Sequence, residues 1–592
     1  MKISKNLLKR EVDAMTFRNL GAIEGSKRQP ADLVLMNGKL VTVDTACPEA
    51  QAVAIQGDRI IAVGDNEQVR PFIGRGTMVL ELDGKLAVPG FIEGHAHLVY
   101  LGQALEKLNL RPARNWPSIV EMVRQAAKSA KPGEWIQGEG WHQEKWDEEP
   151  KAQVDGFPAH VGLSEAAPEN PVLLRHASGH LLIANACGMQ LAGITETMPD
   201  PPGGRIVRDP EGKPSGIFIE TAVSLVEDAA ERAKQDRTPW QLEDDQRRVI
   251  HLAVQECLSK GVTGFHDAGA DFETIDLLKR LAQSNELDLR LWVMVSESNE
   301  RLREALGAYR ILGLGANKLT VRAIKRLMDG ALGAYSAWLL EPYSDLPPSA
   351  GFSTLVWKYS DFGDGSEKGH STPKAYIQET AQIALQHGFQ LCTHAIGDRA
   401  VRETLNVYEQ AFAEHPHERD LRWRIEHASV LAPLDIGRFG ELGIIASMQA
   451  IGCTSDGRWM IDRLGEARAR ERAFLFRPLR EAGAMLINGT DAPVDDVDPL
   501  PGFYASVTCE LADGTPFWSD QRMTREQALR SYTLDCAYAA FQEHILGSIT
   551  PGKLADIVVL SEDIMTVPNE EIRSAQVLST IVGGKIVYQR QT

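Results

Sequence analysis

With 592 residues, 43% of them hydrophobic, the chain has enough apolar surface for a large buried core, which excludes a disordered protein. Its formal net charge of −18 disfavours nucleic acid and anionic membrane as partners and leaves room for a small neutral or cationic substrate. The seven cysteines are scattered without a CxxC pair, so they suggest neither a disulfide framework nor a cysteine zinc site and fit a reducing compartment.

The first residues, MKISKNLLKREVDAMTFRNL, carry charges throughout and lack the apolar centre of a signal peptide. No stretch reaches the roughly 20 apolar residues of a membrane span, so the chain reads as soluble and cytoplasmic. Residues 1–30 read as an extension. From there, ADLVLMNGKLVTVD and AVAIQGDRIIAVG alternate apolar and polar residues around Asn-Gly and Gly-Asp turns, which predicts hairpins. GSITPGKLADIVVLS and LSTIVGGKIVYQ repeat the pattern near the C-terminus. Neither end alone has enough strands for a stable stack, so residues 31–86 and 546–592 are predicted to build one small composite β-sandwich.

Residues 87–545 repeat another unit, a short apolar run followed by a longer amphipathic segment. The runs are AVPGFIEGHAH (87–97), VTGFHDA (262–268), LDLRLWVMV (287–295) and KLTVRAIKRL (318–327), then FQLCTH (389–394), RWRIEH (422–427), GIIASMQ (443–449) and AMLINGTD (484–491). Eight such units predict an α/β chain folded as a (β/α)₈ barrel of the TIM type. Two polar, Pro- and Gly-rich interruptions follow the first and fourth strands, on the side where such barrels carry their sites. The larger, about 98–245, contains the helical NWPSIVEMVRQAAKSA and the hairpin-like PPGGRIVRDPEGKPSG and predicts a subdomain covering the mouth. The smaller, about 340–373, predicts a lid.

His95 and His97 stand at the end of the first strand, where i and i+2 face the same side and two neutral imidazoles can converge on a divalent cation. His394, His427 and Asp491 close the fifth, sixth and eighth strands. Each taken singly has an ordinary structural reading, a hydrogen-bonded core histidine or a capping aspartate. Together they place five metal-ligating groups at one end of four strands. Lys325 lies on the fourth strand, where it either joins that site or reaches solvent. His176 and His180 have an i, i+4 spacing, and His266-Asp267 ends the second run. Trp141, Trp146, Tyr335 and Trp338 either line a pocket or simply pack.

The motifs PGFIEGHAH, GWHQEKW, SGHLLIANACGMQLAGI, AIKRLMDGALGAYSAWLLEPY, THAIGDRAV, RIEHASVL, NGTDAPVDDVDPLPG and GSITPGKLADIVVL carry a resemblance over about Ala31 to the C-terminus. In them the chain resembles the amidohydrolase superfamily, within it the family 3 branch that includes N-substituted formamide deformylases. The resemblance assigns His95, His97 and Asp491 to a more buried metal and His394 and His427 to a second position. Lys325 matches the lysine that many relatives carbamylate with CO₂ into a bridge. It implies a divalent metal, zinc by default, one or two per chain, whose bound water has a pKa lowered to roughly 7. Asp491 would take the proton from that water and return it to the leaving amine, with His427 or His180 helping the developing oxyanion. Ala177-Ser178 stand where many relatives have an acidic residue before Gly-His, which puts that contact in doubt.

The expected reaction is hydrolysis of a non-peptide C–N bond in a substituted formamide, amide or carbamate. The rivals are a mononuclear deaminase of a heterocycle and a non-catalytic binding protein on the same barrel. A small-molecule substrate and a homodimer are the expected partners.

Overall fold

The computed structural model describes residues 29–591 apart from 111, 142, 144–145, 149, 152, 177–180, 203, 236–237, 334–336, 346–372 and 419. The eight predicted runs form one parallel sheet of β1 (Phe91–Ala96), β2 (Val262–Ala270), β3 (Arg290–Val295), β4 (Leu319–Leu327), β5 (Gln390–Ala395), β6 (Arg424–His427), β7 (Ile445–Met448) and β8 (Leu486–Asn488), each beside the next. The edges meet just beyond the strands, where Asp491 N donates to His95 O at 2.8 Å and His97 N donates to Ala492 O at 2.9 Å. This is a TIM barrel.

Strand parity sorts the side chains. On β3, Leu291, Val293 and Val295 face the surrounding helices in the largest apolar core, whereas Trp292 and Met294 face the lumen. Low in the lumen, Ile92, Ile445 and Ile487 pack on Cys536 and Ala537, so the barrel is floored by apolar side chains. The polar residues sit above this floor. Helix Pro239–Ser259 precedes β2 and stops where Gly261 takes φ +78°. β2 continues to Ala270, so His266 and Asp267 lie within the strand instead of ending it, because the alternation persists past Asp267.

Between β1 and β2, strands Leu108–Asn109, Ile136–Trp141, Val172–His176, Leu181–Ala184, Pro214–Glu220 and Gly204–Arg208 form a separate sheet. Its core gathers Trp116, Trp141 and Ile183, with Trp146 against it, so these tryptophans pack. His176 ends a strand, which removes the helical i, i+4 relation to His180.

Strands from both chain ends share one six-stranded sheet, in the order Lys585–Gln589, Val577–Val582, Ile557–Leu560, Leu86–Pro89, Lys39–Val41 and Glu49–Ala50. A four-stranded sheet from residues 33–81 faces it across Leu35, Leu40, Ile55, Val559 and Ile581. The expected hairpin around Gly57-Asp58 forms, but that around Asn37-Gly38 does not. Leu33–Met36 pairs in one sheet and Lys39–Val41 in the other, since Leu35 and Leu40 both point into the core between them. Arg290 at the start of β3 ties the barrel to this unit by donating to both oxygens of Asp556, at 2.6 and 2.9 Å.

His180, Tyr335, residues 1–28 and most of the expected lid lie outside the described residues. Among the described residues, no helix is long and apolar enough to cross a membrane, and all seven cysteines are free.

Candidate metal centre

At the C-terminal ends of the strands, His95, His427 and Asp491 converge so that one ligand atom from each lies within 4.8 Å of the others. His95 Nε2 is 3.7 Å and His97 Nε2 3.3 Å from Asp491 Oδ1. Two donors each about 2.1 Å from one tetrahedral ion stand roughly 3.4 Å apart, so these spacings suit a shared cation. His394 approaches from β5 with its ring centroid 4.4 Å from that of His427 and its Nε2 3.2 Å from Gly330 O. Lys325 is buried, with Nζ 3.2 Å from His95 Nε2, instead of reaching solvent. The tight triple thus takes one histidine from each of the two sets that the resemblance separates.

The backbone is bent to achieve this. Alternation along Arg424-Ile425-Glu426-His427 sends Ile425 outward and would send His427 after it. His427 instead takes φ +74° and Ala428 φ +45°, which turns the imidazole back over the lumen. Asp491 sits at φ +58°. Left-handed backbone at non-glycine residues costs about 1–3 kcal/mol each and persists where surrounding contacts impose it. At Asp491 Glu93 supplies them through its neighbours, accepting from His95 N at 2.9 Å, from Thr490 N at 2.9 Å and from Thr490 Oγ1 at 2.9 Å, while Ala428 N is held by Ala395 O at 3.1 Å. Gly489 is required by this closure, because a Cβ there would stand 2.3 Å from Glu93 Oε1 and 2.5 Å from His95 N.

Burial dominates the electrostatics. It holds the His95 imidazole down to about 3, with Lys325 acting in the same sense, and lowers His427 and His394 as well. All three rings are therefore neutral near pH 7 and carry a lone pair. Burial opposes ionisation of Asp491, yet the histidines around it hold its carboxyl well below the usual carboxylate value. Its Oδ1 is buried and has no hydrogen-bond partner. A buried, ionised oxygen without a partner, beside three neutral imidazoles, is the donor chemistry of a divalent cation site, and the residues present fit one.

The remaining polar residues support this layer. His427 Nδ1 lies 2.8 Å from Gln449 Oε1, which leaves its Nε2 toward the pocket. Asp329 accepts from Trp338 N, Ile396 N and Gly397 N, and burial pushes its carboxyl up to about 7. Trp338 thus serves the site through its backbone. His266 is buried against Trp292 and beside Arg424, away from solvent.

The family model described as amidohydrolase family matches residues 78–588. The chain belongs to the amidohydrolase family. This amidohydrolase is 33% identical over 575 residues to the protein LONG AFTER FAR-RED 3 of Arabidopsis thaliana, covering 94% of this chain and 92% of that one. It is 28% identical to the N-substituted formamide deformylase of Arthrobacter pascens, covering 95% of this chain and 99% of the relative. Among solved structures, an uncharacterized metal-dependent hydrolase from Pyrococcus furiosus superposes with a TM-score of 0.69 at 25% identity, over 90% of this chain and all of that one.

Sequence reasoning missed Glu93, Thr490, Arg424, Glu426, Gln449 and Asp329 in this amidohydrolase. The signal for one pair was present: Arg424 and Glu426, two apart on a strand beside a candidate ligand, share its inward face, where buried opposite charges must pair.

Proposed function

We propose that the protein hydrolyses a non-peptide C–N bond of a small substituted formamide, amide or carbamate with a divalent metal, zinc by preference. The observation that carries this reading is the convergence of His95, His427 and Asp491, with the buried Asp491 Oδ1 facing His97 Nε2 at 3.3 Å but making no well-formed hydrogen bond within the protein. His95, His97, His394, His427 and Asp491 would hold the metal, which when bound supplies Lewis acidity that brings the pKa of water to roughly 7 and polarises a carbonyl. Asp491 receives the proton as water oxygen attacks the carbonyl carbon, and delivers it to the nitrogen as the C–N bond breaks. His180 is the proposed donor toward the developing oxyanion, whereas His427, whose Nδ1–H is taken by Gln449, would help it only through the metal that its Nε2 lone pair holds. Lys325 is the proposed carbamate-bearing bridge of a binuclear centre, supported by its buried position beside His95.

The deformylase among the relatives supports formamides as the first substrates to try. We read the inserted sheet as a cover over the barrel mouth, the paired sheets of the chain ends as a β-sandwich, and the seven free cysteines as fitting the cytoplasm. A single-metal deaminase is the second reading, favoured by the tight gathering of three residues, His95, His427 and Asp491, among the described residues.

The test is elemental analysis and intact mass of the purified protein, followed by amine release from N-alkyl and N-aryl formamides, amides and carbamates. Two metals per chain, a carbamate on Lys325 and amine release abolished in Asp491→Asn are the expected results. One metal with free Lys325 and ammonia released from heterocycles would move the assignment to a deaminase. No metal after reconstitution would end the hydrolase reading.

A further inference from the structure

We propose that Glu426, clamped by Arg424, is a positioning residue that fixes His95 in the Nδ1-protonated tautomer and presents its Nε2 lone pair to the pocket. Glu426 Oε2 lies 2.5 Å from His95 Nδ1, and both side chains are 0% exposed. A carboxylate only accepts, so this contact places the imidazole proton on Nδ1. On the other side of the ring, Nε2 faces Lys325 Nζ at 3.2 Å, where a lone pair on Nε2 can accept from the lysine.

Arg424 keeps Glu426 in this role. Its Nε is 2.8 Å from Glu426 Oε1, and its Nη2 donates to Glu426 Oε2 at 3.1 Å. The same guanidinium donates to Gly94 O on β1 at 2.6 Å and to Ser447 Oγ on β7 at 3.0 Å, and its Nη1 is 3.2 Å from His266 Nδ1 on β2. One side chain from β6 therefore spans the lumen to three other strands, so the carboxylate cannot rotate away from His95 without breaking several buried contacts. A ligand imidazole whose second nitrogen is held by a carboxylate is both oriented and made more basic. Arg424 and Glu426 neutralise one another, so the buttress adds no net charge beneath the cation. The inference rests on the reading of His95 as a metal ligand and adds what prepares it for that task.

The decisive measurement is ¹⁵N NMR of the full-length, metal-free protein with labelled histidine imidazoles, His95 being assigned by the resonance lost in His95→Gln. A pyrrole-type shift at Nδ1 with a pyridine-type shift at Nε2 is expected. The opposite tautomer, or averaging between the two, would overturn the proposal, and this wild-type spectrum needs no buttress variant to fold. Zinc affinity by chelator competition then follows the consequence. Glu426→Leu is expected to weaken zinc binding about 10- to 100-fold, in keeping with other supports behind metal ligands. Glu426→Gln, whose amide oxygen still accepts from Nδ1–H, is expected to recover most of that loss and the wild-type shifts. If His95→Gln weakens zinc binding but a folded Glu426→Leu does not, the buttress is refuted while the site reading stands. If His95→Gln itself leaves zinc binding unchanged, the reading of His95 as a ligand fails.

Discussion

The pocket has two sides built on different principles. On the side of β1 and β8, His95 is backed by the Glu426 carboxylate, and the meeting of the two strands is fastened by Glu93 through His95 N and Thr490. On the side of β5 and β6, His427 leans on the neutral amide of Gln449 and His394 lies against the carbonyl of Gly330. Both sides deliver neutral imidazoles, but on the first the ring is held at hydrogen-bond distance by the Glu426 carboxylate, whereas on the second the buried Asp329 carboxylate stands 3.6 Å from His394 Nε2. The first side is the rigid wall of the site. The second is held by a neutral amide and a backbone carbonyl.

The largest expected effect tests the group that serves both sides. Asp491→Asn should lower turnover by at least about 10²–10⁴-fold, the usual worth of a general acid–base group, with the melting temperature nearly unchanged. Equal turnover would remove Asp491 from the chemistry. Next, His95→Ala should cost more zinc affinity than His394→Ala in chelator competition, because the first empties the braced wall. The reverse order would break the comparison. A smaller change is expected from Gln449→Leu, about 10-fold in zinc affinity, since an uncharged support is removed and His427 can relax. The smallest effect lies at the other end of the barrel. Burial pulls Lys318, at the foot of β4, down from 10.5 to about 8, so between these values the unfolded chain holds the proton more tightly and stability rises with pH. Denaturant titrations of Lys318→Met should lose that upward slope between about pH 8 and 10.5 while kcat at pH 7 is unchanged.

Much of this was legible in the sequence because parallel strands are short, apolar and regularly spaced. All eight barrel runs sit where hydrophobic patterning puts them, and the candidate ligands stand at or just beyond their C-terminal ends. What the pattern could not supply is backbone direction at the strand ends. Strict alternation would turn His427 away from the pocket, and only its left-handed φ returns it. Asn37-Gly38 looked like a hairpin because local composition cannot tell a turn within a sheet from a crossing between two. Arg424 and Glu426 escaped notice for another reason: a charged pair on a strand reads as solvated until the opposite wall of the barrel is known to close over it.

The six-stranded sheet shared by the two chain ends has a consequence for biosynthesis. Leu86–Pro89 is made before any barrel strand, yet its neighbour Ile557–Leu560 is made after all of them. Throughout translation of the barrel, the earlier strand presents an unsatisfied edge of the kind that recruits other chains. This sheet can therefore close only after the late-made strand has been synthesised, long after the edge that receives it.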